Sequence, residues 1–148
     1  MNLYIDTSAL ITHYIAEVGS EYVNDLIVDA AVIATGLITR AEMAAGINRL
    51  LRMNSISKDH YAIALRDFRS DWKHYERIMI WEEIVARADS LTCEYILRGY
   101  DATHLACGLS WQDALELPMV LVTFDAELRD AAEKAGMKTL PERKQNTV

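Results

Sequence analysis

Short apolar runs alternate with longer amphipathic stretches along this chain, and the alternation predicts its secondary structure. The short runs are rich in Val, Ile, Leu and Met, which favours strands. The predicted strands are residues 2–5, 31–35, 77–80, 119–123 and 137–140. The stretches between them have helical periodicity, with helices predicted at residues 7–14, 20–29, 40–53, 58–75, 82–98, 102–115 and 126–135. Gly136 follows the last helix, as expected of a C-terminal cap.

Strands separated by helical crossovers predict an α/β fold in which a parallel sheet carries helices on both faces. The chain has 148 residues, of which 51% are hydrophobic, so one compact domain with a proper core is expected. We place this single domain at residues 1–140. The remaining residues, 141–148, have no apolar period and predict a loose polar tail.

Composition excludes several classes of protein. No apolar run approaches the ~20 residues of a membrane-spanning helix, and we expect neither a membrane anchor nor an export leader. Cys93 and Cys107 lie far apart within predicted helices, and no Cys/His pattern has metal-ligand spacing. We therefore predict a cytoplasmic protein in which both cysteines are reduced, buried and inert.

The net charge of −7 is unevenly distributed. Residues 40–77 carry +3, and the rest of the chain carries −10. Within the positive segment, one continuous helix would place Arg66, Arg69, Lys73 and Arg77 on one face. An ordinary solvated helix face is the simpler interpretation of that stripe.

Four acidic residues stand where predicted elements begin or end. Asp6 and Asp125 follow strands, Glu42 opens a helix, and Asp101 follows Gly99, which we take to break one helix before the next starts. The carboxyl ends of parallel strands meet at one edge of a sheet, where ligands bind. No lysine or arginine is evident beside these acids in the sequence, so a cation is expected between them.

Each acid also has a purely structural interpretation, which the sequence leaves open. Thr39 and Glu42 match a capping box, in which the glutamate reaches back to the N-cap amide. The three aspartates could each cap a helix N-terminus through the side-chain carboxylate. Taken singly, every one of the four acids fits a cap better than a ligand.

Taken together, the acids predict a site for Mg²⁺ or Mn²⁺, since these ions prefer carboxylate oxygen and water. Ser8 and Thr123 each lie two residues from an acid and could orient metal-bound water. Alternatively, Ser8 only starts a helix and Thr123 only fills a strand. A cation held in this way activates water and binds phosphate oxygens, so phosphodiester hydrolysis is the reaction class predicted.

The motifs resemble those of the PIN domain, specifically the toxin nuclease of VapC-type toxin–antitoxin pairs. They extend over almost the whole chain in the family's order: "YIDTSAL", "EVGSEYV", "ITRAE", "LRGYDATHLA" and "LVTFDAEL". The resemblance implies a three-layer α/β/α sandwich with a five-stranded parallel sheet. It also implies an Mg²⁺- or Mn²⁺-dependent endoribonuclease that forms a homodimer and is blocked by a cognate VapB-type antitoxin.

Site residues follow from the same resemblance. The metal-binding and catalytic acids would be Asp6, Glu42, Asp101 and Asp125, with Ser8 or Thr7 and Thr123 as polar support. His104 would belong to the helix-opening motif rather than bind the metal. The candidate RNA contacts are Arg40, Arg49 and Arg52. Thr12 stands where relatives often have a lysine, which removes one candidate phosphate contact.

Two other functions remain as alternatives. A non-catalytic PIN-like module that binds RNA or protein would be expected to lose some of the four acids, and all are present. A phosphoryl-transfer domain of haloacid dehalogenase type would need a second aspartate where Ser8 stands. Both considerations favour the metal-dependent endoribonuclease.

Overall fold

The computed structural model of the protein describes residues 1–142. Its strands are β1 (Asn2–Ile5), β2 (Val32–Gly36), β3 (Glu76–Ile78), β4 (Val120–Val122) and β5 (Lys138–Leu140). Its α-helices are α1 (Thr7–Tyr14), α2 (Ser20–Asp29), α3 (Thr39–Arg52), α4 (Lys58–Asp71), α5 (Glu82–Tyr95), α6 (Gly99–Leu115) and α7 (Ala126–Lys134). Each of these elements overlaps one predicted from the sequence.

All neighbouring strands pair in parallel, in the order β3-β2-β1-β4-β5. Helices α1 to α4 bury their apolar residues against one face of the sheet, and α5 to α7 cover the other. The predicted α/β/α sandwich with a five-stranded parallel sheet is confirmed. Strand order reverses beside β1, whose neighbours are β2 and β4, and the crevice beyond this reversal is where open parallel sheets bind ligands.

β1 divides its side chains between the two cores because successive residues of a strand point to opposite faces. Leu3 and Ile5 pack on the side of α1 to α4, whereas Tyr4 packs on the side of α5 to α7. All three are fully buried. A central strand buried on both faces explains the uninterrupted apolar run that precedes Asp6.

The continuous helix that the basic stripe would need does not form. Helix α4 ends at Asp71, a 3₁₀ helix follows at Trp72–His74, and Arg77 lies in β3. Trp72 and Tyr75 are buried and pack edge to face, with ring centroids 6.4 Å apart. The chain leaves the helix at this point and enters β3, so Arg66 and Arg69 lie on α4 but Lys73 and Arg77 do not.

The boundary between α5 and α6 also differs from expectation. Helix α5 ends at Tyr95, and Ile96 takes a left-handed conformation with φ of 55°. Gly99 is the first residue of α6 and not a break between helices. The predicted cap at Gly136 is confirmed, because it follows α7 with φ of 89° and its amide donates to the Glu133 carbonyl.

One of the two cysteine predictions is wrong. Cys107 is buried, and burial raises the pKa of its thiol to about 11, whereas Cys93 is exposed on α5. Within residues 1–142, no helix is long and apolar enough to cross a membrane. Most of the predicted polar tail, residues 143–148, lies outside the described part of the chain.

Gly19 and Gly136 both have positive φ, at 98° and 89°. Alanine substitutions at these two positions therefore separate the cost of backbone strain from the cost of a steric clash. A Cβ on Gly19 would lie 2.6 Å from Phe124 Cζ, whereas a Cβ on Gly136 meets nothing within 4 Å. We predict that Gly136→Ala costs roughly 1 kcal/mol through backbone strain alone. Gly19→Ala should cost about 1 kcal/mol or more beyond that, since the ring must move. Equal free energies of unfolding in urea would contradict the predicted clash.

Candidate active site

Asp6 lies immediately after β1 and has two structural roles. Its Oδ1 accepts a hydrogen bond of 3.1 Å from the Ala9 amide, so it is the N-cap of α1. Ser8 Oγ lies 2.9 and 3.0 Å from its two carboxylate oxygens, and Thr123 Oγ1 donates to Oδ2 at 2.9 Å. Burial raises the pKa of Asp6, although the charge of His104 and these hydrogen bonds lower it. A buried carboxylate with a raised pKa is one that a nearby cation would stabilise.

Asp125 occupies the equivalent position after β4, the strand next to β1. It caps α7 by accepting from the Leu128 amide at 2.8 Å, and its own amide donates to Thr123 Oγ1 at 3.0 Å. Thr123 therefore connects Asp125 to Asp6. Ser8 joins the same group, because its Oγ accepts from the Phe124 amide at 3.0 Å. In this structure both hydroxyls hold the Asp6 carboxylate directly, whereas the sequence suggested that they orient water.

The capping-box interpretation of Glu42 is wrong. The N-cap of α3 is Ile38, which makes no side-chain capping bond, and Thr39 is already helical. Thr39 Oγ1 is hydrogen-bonded to Thr35 Oγ1 at 2.7 Å in the interior. The Glu42 carboxylate points elsewhere: its Oε2 accepts from Thr7 Oγ1 and from His104 Nε2, the latter at 2.7 Å.

His104 was missed as a member of this cluster. It is 3% exposed, and Tyr4 Oη lies 2.9 Å from its Nδ1. Burial lowers the pKa of His104, but the hydrogen bond and charge of Glu42, with the charges of Asp6 and Asp101, raise it overall. The available sequence signal was its spacing, since residues at i and i+3, such as Asp101 and His104, share one helix face.

Asp101 and Asp125 are bridged by an arginine. Arg98 Nε lies 2.9 Å from Asp101 Oδ2, and Arg98 Nη2 lies 3.2 Å from Asp125 Oδ2. The expectation that no lysine or arginine lies beside the acids is therefore wrong. Asp101 is in the first turn of α6 and accepts no side-chain capping bond there, so the cap interpretation fails for this residue. The guanidinium therefore lies between two of the four carboxylates.

The chemistry of the donor set fits a hard divalent cation, because four carboxylates surround the edge where strand order reverses. The side-chain arrangement is not that of a preformed metal centre. Among residues 1–142, no three His, Cys, Asp or Glu side chains are grouped so that they could hold a metal ion. The contacts of Arg98 explain part of this, since it engages one oxygen of Asp101 and one of Asp125.

The candidate RNA contacts lie on α3 and are exposed. Arg40 is two residues from Glu42, at the start of the helix that supplies this acid. Arg49 and Arg52 lie about 14 and 18 Å further along the helix axis, given a rise of ~1.5 Å per residue. Only Arg40 therefore begins close to the acidic cluster.

Comparison with known families identifies the fold. Residues 3–134 match the family described as "PIN domain". The chain belongs to the PIN domain family. Among curated proteins, Ribonuclease VapC45 and Ribonuclease VapC49, both from strains of Mycobacterium tuberculosis, are each 25% identical to it over 139 residues. Each alignment covers 94% of this PIN protein and 94% of the relative.

Solved structures share the PIN architecture. A toxin–antitoxin complex from Klebsiella pneumoniae superimposes with a TM-score of 0.56 at 22% identity, covering 81% of this chain and 84% of the other. PAE2754 from Pyrobaculum aerophilum gives a TM-score of 0.67 at 19% identity, covering 94% and 83%. At this level of identity the structural likeness is evidence for the fold.

The Glu42–His104 pair predicts a pH dependence of stability. Burial opposes ionisation of Glu42, but His104 and Thr7 outweigh burial and lower the pKa of Glu42. The ionised Glu42 side chain therefore stabilises the fold above pH 4.5, and this stabilisation is lost as pH falls through the lowered pKa. The pKa of His104 is raised, so the protonated His104 side chain stabilises the fold below pH 6.5. This stabilisation is lost as pH rises through the raised pKa.

We predict that Glu42→Gln lowers the melting temperature of the protein in EDTA most strongly between about pH 4.5 and 6.5, where both contributions are present. Glu83→Gln, at an exposed glutamate in the first turn of α5, is the matched control and should show no such window. A difference from wild type that stays the same from well below pH 4.5 to well above pH 6.5 would contradict an ion pair between Glu42 and His104.

Proposed function

We propose that this PIN protein is a divalent-metal-dependent endoribonuclease and the toxin of a toxin–antitoxin pair. The observation that carries the proposal is the position of the acids in a PIN-family chain. Asp6 and Asp125 follow the two strands beside the reversal of strand order, Thr123 connects these two aspartates, and Arg98 pairs Asp125 with Asp101. Its relatives named as ribonucleases support hydrolysis of RNA.

The four acids would hold Mg²⁺ or Mn²⁺, as PIN-domain nucleases generally depend on a divalent metal. When bound, such an ion lowers the pKa of a coordinated water and polarises a phosphoryl oxygen. The protein's own residues orient the ligands. Ser8 and Thr123 hold Asp6 by hydrogen bonds, and Thr7 holds Glu42. We propose that these hydroxyls are the polar support of the site.

The Arg98 guanidinium forms ion pairs with both Asp101 and Asp125. A guanidinium is also suited to phosphate, which it can bind through two parallel hydrogen bonds. With Arg40 at the start of α3, it gives the acidic edge two positive side chains where a polyanion would approach. Arg49 and Arg52 are proposed to contact RNA further from the cleaved bond.

A basic antitoxin segment is the proposed partner at this edge. The chain carries −10 outside residues 40–77, so a positive peptide would be attracted to it and would exclude RNA. Exposed apolar side chains are available to pack against such a segment, including Trp81 at 62% and Tyr100 at 66% exposure. The structural relative from Klebsiella pneumoniae is itself a toxin–antitoxin complex. We further propose that the protein is a cytoplasmic homodimer.

Asp6→Asn separates catalysis from stability. Because burial disfavours the charged form of Asp6, we predict that the metal-free Asn variant is at least as stable as wild type near neutral pH. The amide oxygen can still accept from the Ala9 amide and preserve the cap. The variant should nevertheless not cleave single-stranded or loop RNA, since the site has lost a charged ligand.

Wild-type protein should cleave RNA only with Mg²⁺ or Mn²⁺ and leave a 5′-phosphate and a 3′-hydroxyl, as attack by activated water would. Asp113→Asn is the control. It removes only a surface ion pair with Arg87, at 2.8 Å, and should leave the cleavage rate unchanged. Full activity in excess EDTA, or an Asp6→Asn variant as active as wild type, would overturn the nuclease proposal. Sequencing the cleaved ends in total RNA would identify the substrate.

The antitoxin proposal predicts a small partner encoded beside this gene that co-purifies with the protein and relieves its growth inhibition. Because charge attraction drives the contact, binding should weaken with added salt and in Asp101→Asn, but not in Asp113→Asn. The measurement is affinity by calorimetry at two salt concentrations. If the neighbouring product neither binds nor restores growth, the toxin assignment fails while the nuclease proposal stands.

A further inference from the structure

His104 is a buried polar side chain whose two ring nitrogens are both engaged. Nδ1 lies 2.9 Å from Tyr4 Oη, and Nε2 lies 2.7 Å from Glu42 Oε2. The ring is 3% exposed and makes an edge-on contact with the Tyr4 ring, at 71° between planes. The ring cannot rotate without losing both hydrogen bonds, and in this buried position water does not replace them.

Tyr4 fixes this histidine from the centre of the sheet. It is the middle of β1, fully buried between the neighbouring strands β2 and β4. A Cβ added to Gly36 would lie 3.0 Å from Tyr4 Oη, so the hydroxyl also lies close to the backbone at the end of β2. The position of the imidazole is therefore set by the central strand of the sheet as well as by its own helix.

The two hydrogen bonds that reach the Glu42 carboxylate end on the same oxygen. Thr7 donates to Oε2 from α1, and His104 donates to Oε2 from α6. Within residues 1–142, neither bond uses Oε1. Two donors from different helices fix the orientation of the carboxylate plane, whereas one donor would leave it free to turn about that bond. Neither of these two donors engages Oε1.

We propose that His104 is a positioning residue for RNA cleavage, which holds Glu42 Oε2 so that Oε1 is presented to the acidic edge, and that Tyr4 holds His104 in turn. The inference rests on the proposed nuclease function. His104 contacts neither the RNA nor the reacting atoms in this scheme and acts only through Glu42. Outer partners that orient ligating carboxylates typically contribute ~10- to 100-fold to activity or metal affinity.

Two substitutions of His104 provide the test. His104→Gln keeps a side-chain N–H that can reach the position of Nε2, whereas His104→Leu keeps bulk and has no donor. We expect His104→Leu to lower kcat by ~10- to 100-fold with little change in KM for RNA, and His104→Gln to restore most of the loss. Equal kcat in the Leu and wild-type proteins, measured per folded molecule, would overturn the proposal.

A double-mutant cycle tests whether His104 acts through Glu42. Adding His104→Leu to Glu42→Gln should slow cleavage no further than Glu42→Gln does alone, whereas independent effects would multiply. Leu105→Ala is the control for damage to the core of α6, because Leu105 is fully buried on the side of α5 to α7. It should lower the melting temperature and leave kcat unchanged.

A measurement without RNA separates this inference from the nuclease proposal. The Mn²⁺ concentration that half-saturates the rise in melting temperature should increase in His104→Leu and recover in His104→Gln. An inactive Asp6→Asn together with a fully active His104→Leu would overturn the positioning role alone. An Asp6→Asn protein with wild-type cleavage would overturn the nuclease site, and the role of His104 with it.

Discussion

Negative charge collected at one edge of a parallel sheet is the constraint on which this site depends. Four carboxylates approach that edge from different elements, and like charges in partly buried positions destabilise one another. The protein offsets the repulsion in three ways. Helix N-termini donate amide hydrogens to Asp6 and Asp125, Arg98 bridges two aspartates, and His104 pairs with Glu42. Each acid thus has a positive or hydrogen-donating neighbour before any ligand arrives.

The same neighbours link the edge to the hydrophobic core. Thr123, at the end of β4, joins the carboxylate of Asp6 to the backbone of Asp125. On the other side, Tyr4 extends from the centre of the sheet to His104 and so to Glu42. Rigid strands and buried hydrogen bonds therefore position the carboxylates, and a site placed on rigid elements holds its geometry better than one on loops. The charge of buried Asp6 is the part of this arrangement that costs stability.

The structure also separates the structural and functional interpretations of the acids. Asp6 and Asp125 are true helix caps and still lie at the edge where strand order reverses, so the two interpretations are compatible. Glu42 is not part of a capping box, because Thr39 turns inward to Thr35. A match to T-x-x-E identifies residues that could cap a helix, but burial of the threonine decides whether they do.

Sequence by itself determined the alternation of strands and helices, the parallel sheet and the acids at its carboxyl edge, because these depend on local periodicity and on residues adjacent in the chain. It could not show that Arg98 pairs with Asp125, or that His104 reaches both Tyr4 and Glu42, because these partners are 27, 100 and 62 residues apart. Two expectations failed for a related reason: the helix predicted to reach residue 75 ends at Asp71, and Cys93 is exposed. Sequence periodicity assumes that a helix continues and that its apolar face is covered. Helix α4 ends where Trp72 and Tyr75 pack into the core, and Cys93 remains exposed on α5. Tertiary structure alone decided which charges meet, since a side chain's partner depends on where the folded chain brings it and not on its position in the sequence.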